Sequence, residues 1–137
     1  MPDTSASSGP ERPIVESGIP FMRFDSRGSR RLRLKRAANG MTGFGPVNII
    51  DLGPNGLGIG HDCPLQRGAT TWIEFYWGET MIRLNCEVRT TRASVGEMKF
   101  ASGLLILGGL SADDYRRRVE AEIETMKAAE SKLPPLI

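Results

Sequence analysis

Between Thr70 and Thr91 the chain alternates residue by residue, and this alternation constrains the fold more than any other feature. Thr71, Ile73, Phe75 and Trp77 alternate with Trp72, Glu74 and Tyr76, and after Gly78-Glu79 the pattern resumes with Ile82, Leu84, Cys86 and Val88 against Met81, Arg83, Asn85, Glu87 and Arg89. A period of two places one set on each face of a strand, and a two-residue glycine-containing break between such runs marks a hairpin. Ile82, Leu84, Cys86 and Val88 are expected to face a core. The same logic gives shorter strands at Arg31-Leu-Arg-Leu-Lys35, Val47–Ile50, Leu57–Gly60 and Met98–Leu107, separated by glycine-, proline- and asparagine-rich segments. Ala37–Pro46, with three glycines and an Asn-Gly pair, reads as a turn or loop, as do His61–Gly68 and Ala93–Glu97.

One helix follows the strands. Ser111 with Asp114 three residues on resembles a capping box, Leu110 is positioned to staple onto Tyr115, and Tyr115, Val119, Ile123 and Met126 form a single apolar stripe. Pro134-Pro135 forbids its continuation. Six strands and one amphipathic helix predict a mainly β protein: a six-stranded antiparallel β-barrel whose end or side is closed by the C-terminal α-helix. At 137 residues the chain suits one such domain. The expected division is a flexible tail over 1–20, rich in Ser, Pro and Gly, then the domain over 21–130, then a short tail over 131–137.

Composition excludes several classes of function. No run approaches the length of a membrane span, and the N-terminus has neither a basic nor an apolar leader region, so a cytoplasmic protein is expected. Cys63 and Cys86 are too few for a disulfide scaffold, and with His61 they lack the second close ligand pair of a zinc site, so neither metal nor cofactor is expected. A single histidine gives no nucleophile, base and orienting group, which makes an enzyme the least expected class. Gly53, Gly56, Gly58 and Gly60 open no helix and precede no P-loop lysine; they read as turn and strand-corner residues. Trp72, Phe75 and Trp77 offer stacking surfaces for bases, but alternating aromatics in a strand more often pack together.

The net charge is only +2, yet Arg23, Arg27, Arg30, Arg31, Arg33, Lys35 and Arg36 crowd one segment with Asp25 as its only acid. Guanidinium groups match phosphate oxygens and the acceptor edge of guanine, so an anionic nucleotide is a candidate ligand; a solvated charged stretch is the plainer alternative.

Arg27-Gly-Ser-Arg-Arg31 immediately before a strand, then Asp51-Leu-Gly-Pro-Asn-Gly56, resembles the PilZ family of cyclic di-GMP receptors, whose signature is R-x-x-x-R followed by [D/N]-x-S-x-x-G. The resemblance extends over about Arg27 to Lys127 and includes Gly103 in the last strand. Arg23–Arg27 has the same spacing, but the pair Arg27 and Arg31 abuts the strand as the family pattern does. The resemblance implies that Arg27 and Arg31 clasp guanine and phosphate from a segment that orders around the ligand. It also implies that Asp51 takes a guanine Watson–Crick edge and that Gly56 allows a tight turn beside the base; Arg23 and Arg30, close by in sequence, are candidates to add stacking on an exposed guanine. Gly53 stands where the family has serine, leaving only backbone groups there. The implied function is a receptor that signals to a bacterial partner controlling motility, pili or exopolysaccharide. The alternatives are an interaction module that does not bind cyclic di-GMP, and a basic nucleic-acid-binding barrel with steep salt dependence; no specific nucleic-acid partner is expected.

Overall fold

The computed structural model describes residues 21–25, 31–94, 96 and 98–131. The tails expected over 1–20 and 131–137 lie outside the described residues except for Ser131, the last residue of the helix. Seven strands and one helix follow in order: β1 (Phe21–Asp25), β2 (Arg31–Thr42), β3 (Gly45–Leu52), β4 (Gly56–His61), β5 (Thr70–Trp77), β6 (Thr80–Ala93), β7 (Phe100–Gly108) and α1 (Ala112–Ser131). Strands β2-β3-β4-β7-β6-β5 are hydrogen-bonded in that order, all antiparallel, and β5 returns to β2 to close a six-stranded barrel. β1 is an addition outside the barrel, antiparallel to the first residues of β2.

The β5–β6 hairpin forms as the alternation demands, with Trp77 opposite Thr80 and Gly78 at φ +62°, a conformation that costs glycine little. Ile82, Leu84, Cys86 and Val88 are fully buried, together with Ile49, Leu57, Ile59, Ile73 and Phe75 from neighbouring strands. Each such side chain contributes about 1.5–3 kcal/mol relative to exposure.

Closure of the barrel required a departure from the expected loop at Ala37–Pro46. β2 instead runs unbroken through Asn39-Gly40 to Thr42, with Ala38, Gly40 and Thr42 all buried. A Cβ on Gly40 would stand 3.0 Å from the Ile49 side chain and 3.3 Å from the Glu74 carbonyl. The small residues that read as turn formers thus let β2 pass between β3 and β5, pairing Met41 and Thr42 with Glu74 and Ile73. The turn comes later, at Gly43-Phe44, where the Thr42 hydroxyl donates to the Gly45 carbonyl at 2.9 Å and accepts the Phe44 N–H at 3.1 Å.

α1 lies against β1, β2 and β6 and presents the anticipated stripe: Tyr115, Val119 and Ile123 are fully buried and Met126 partly so. Its start differs from the capping box. The Ser111 hydroxyl accepts the Arg83 N–H at 3.0 Å, while Asp114 pairs along the helix with Arg118 at 2.9 Å. Leu110 is 98% exposed and staples nothing. The entry to the helix is thus tied to β6 through Ser111. Two edge-to-face contacts complete the seal, with the Tyr115 ring 6.2 Å from Phe75 and 6.3 Å from Trp77. No helix among the described residues is long and apolar enough to cross a membrane.

Candidate functional site

The outer face of β2, β3, β4, β7 and β6 carries an open groove of about 1020 Å³. Two transverse rows of paired residues build it. One row runs from Thr90 on β6 through Gly103 and Gly58 to Asp51 and Arg33. The next outward-facing row runs from Arg92 through Ala101 and Gly60 to Asn48. Rows two residues apart along a strand are separated by about 6.8 Å, and β3 and β6 by about 14 Å, from standard sheet spacings. The two middle strands therefore contribute no side chain larger than a methyl group at these four positions, while both walls are polar. The groove is a trench because its floor is glycine.

Charge follows the same plan. Arg31, Arg33, Lys35, Arg36 and Arg92 line the trench against one carboxylate, Asp51. The Arg31 guanidinium donates to the Asp51 carboxylate at 2.8 Å, and both side chains are about a quarter exposed. Arg31 sits at the first position of β2 and Asp51 near the end of β3, so the β2–β3 pairing brings together two residues that are 20 apart in sequence. A Cβ on Gly58 would stand 2.9 Å from both Asp51 carboxylate oxygens. Only glycine at that position lets the carboxylate lie over β4 as it does.

The corner that follows Asp51 is held from inside. Gly53 is buried; its N–H donates to the Gly56 carbonyl at 2.8 Å and its carbonyl accepts the Tyr115 hydroxyl at 2.9 Å. Both backbone groups of Gly53 are thus engaged within the fold. Gly56 is buried as well, and a Cβ there would stand 2.5 Å from the Leu104 carbonyl, which makes glycine obligatory for the β4–β7 pairing. Burial drives the Tyr115 phenol pKa far upward, so it remains a neutral donor to this corner.

Of the residues singled out in the sequence, Arg31 and Asp51 meet in the trench, and Gly53 and Gly56 shape the turn beside it. Arg23 belongs to β1, opposite Arg33 in the pairing. Arg27 and Arg30 lie outside the described residues. Gly58 and Gly60, read from sequence as corner devices, are the floor of the trench, and Arg92 is part of its far wall. A usable signal existed: glycine recurs at alternate positions of β4, opposite in phase to Leu57 and Ile59, so it clears one face of a strand.

Two other polar features are structural. His61 is 2% exposed, with Nδ1 at 2.6 Å from the Cys63 carbonyl and Nε2 at 2.7 Å from the Ser102 hydroxyl, and it stacks on Phe100. Among the described residues no cluster suits a metal ion. Trp72, on the outer face of β5, carries the Arg83 guanidinium 5.1 Å above its ring, and Arg83 also pairs with Glu74 at 2.9 Å.

Neither a family model nor a curated protein sequence matches the chain. Solved structures do. The PilZ domain of YcgR from Escherichia coli, in a structure with c-di-GMP, superimposes with a TM-score of 0.52 at 14% identity, covering 80% of this chain and 100% of that one. An uncharacterized Legionella protein gives a TM-score of 0.48 at 13% identity, covering 71% of this chain and 97% of its own. The closed six-stranded antiparallel barrel with a single C-terminal helix is a PilZ-like fold.

Proposed function

We propose that this protein is a receptor for cyclic di-GMP, bound in the glycine-floored trench and read out by a bacterial partner protein that controls motility, pili or exopolysaccharide. The observation that carries this reading is the Arg31–Asp51 pair on the wall of a trench lined by five cationic side chains. Cyclic di-GMP has two phosphates and two guanines, and it needs both kinds of group. Asp51 is an acceptor for guanine N1 and N2 hydrogens; Arg31 offers a planar fork to guanine O6 and N7 or to a phosphate. Arg27, four residues before Arg31, has the spacing to complete the clasp, with Arg23 and Arg30 adding charge as the segment orders on the ligand. Gly53 and Gly56 serve by fixing the corner from which Asp51 projects. The PilZ-like fold supports the same reading, as does the comparison structure that contains c-di-GMP.

The hydroxyl absent at Gly53 lowers affinity by the value of one hydrogen bond to a charged ligand, about 1–3 kcal/mol or one to two decades in Kd. Gly53 also favours the second reading, an interaction module that docks its partner without the ligand. Calorimetric titration with cyclic di-GMP at near-physiological salt separates them. Saturable binding that is lost in Arg31→Ala and in Asp51→Ala supports the receptor. No heat at high ligand concentration overturns it and leaves the docking module.

A further inference from the structure

The Arg31–Asp51 pair occupies only one end of the trench. The parallel row Arg92–Ala101–Gly60–Asn48 forms a second strip beside it, with only small residues on its two middle strands, and nothing in the PilZ-like sequence signature touches it. Arg92 is exposed on β6 and, among the described residues, its guanidinium makes no ion pair or hydrogen bond. It faces Asn48 across two strands whose residues, Ala101 and Gly60, present almost no side chain. A guanidinium with no partner among the described residues on one wall, an amide on the other and small residues between them suit an anionic half-ligand.

We infer that this second row is a subsite for the distal half of the ligand, with Arg92 binding a phosphodiester of cyclic di-GMP whose other half is held at Asp51. The inference rests on the receptor reading above. Gly60 is buried, and Ile50 and Met98 lie 3.6 and 3.7 Å from where its Cβ would stand, so the strip is edged by apolar side chains against which the distal base can pack. Those are ordinary contact distances. Gly60→Val puts its Cβ at contact distance from both neighbours and its two γ-methyls into the strip.

The test titrates cyclic di-GMP into the full chain and into Arg92→Ala, Arg92→Lys, Gly60→Val and Arg31→Ala, with a thermal melt of each. Arg92→Ala is expected to weaken binding by about tenfold to a hundredfold, the value of a charge-assisted contact, and to flatten its salt dependence. Arg92→Lys restores the salt dependence but only part of the affinity, because the fork is lost. Gly60→Val is expected to weaken binding; should its melt show unfolding, Arg92→Ala decides alone. If Arg31→Ala loses binding while Arg92→Ala binds as the parent does, the second subsite is overturned and the receptor reading stands. If the parent chain itself does not bind, both fall.

Discussion

At the scale of single residues, the trench depends on positions where a side chain is missing. Gly58→Ala places a methyl group 2.9 Å from both Asp51 carboxylate oxygens. The carboxylate ends a short side chain that can rotate away, so the fold tolerates the change and the Arg31–Asp51 pair does not. Gly58→Ala is therefore expected to shift the urea midpoint little while weakening cyclic di-GMP binding about tenfold, in line with one charge-assisted contact. Tyr115→Phe does the reverse. It removes the donor to the buried Gly53 carbonyl, which costs about 1–3 kcal/mol of stability, measurable by urea unfolding. The cysteines differ in the same residue-level way. Burial pushes the Cys86 thiol up to about 12, whereas Cys63 is exposed. A thiolate reagent at pH 8 should modify Cys63 in the native protein and reach Cys86 only after unfolding; modification of both in the native state would contradict the burial of β6.

At the scale of elements, the apolar patterns were legible and the small residues were not. The β5–β6 hairpin and the stripe of α1 follow from periodicity alone, because burial of a continuous face leaves a repeating mark on the sequence. Asn39-Gly40 misleads because glycine serves equally well in a turn and at a close strand crossing, and the neighbour that decides between them, Glu74, is 34 residues away. The helix start misleads similarly. Ser111 has the composition of a cap, but the partner it finds is the Arg83 backbone. Since α1 is held by its stripe, Ile123→Ala should destabilise the whole protein by about 2–5 kcal/mol, whereas Ala121→Ser on its exposed face should change stability by less than about 0.5 kcal/mol. Equal effects in chemical denaturation would mean that the helix does not seal the core.

At the scale of the molecule, barrel closure is uneven. β6 is paired to β5 over Thr80–Glu87 and to β7 over Asn85–Ala93, while β5 meets β2 only through Ile73 and Glu74. Hydrogen exchange should therefore be slowest in Leu84–Val88 and fastest, within the barrel, at the β2–β5 seam. Uniform protection around the barrel would show that α1 compensates fully for the short seam.

The sequence by itself determined which residues are buried in the hairpin and helix and that the class is mainly β with one terminal helix, since these rest on local period, while motif resemblance pointed to Arg31 and Asp51 as parts of one site. Only the tertiary structure decided that β2 is one long strand closing the barrel, that Gly53 is spent on Tyr115, and that Gly58, Gly60, Gly103 and Arg92 form one trench. Strand register does this work. It brings β3, β4, β7 and β6 side by side, and a glycine acquires meaning as a floor only when the residues on either side of it in space are known.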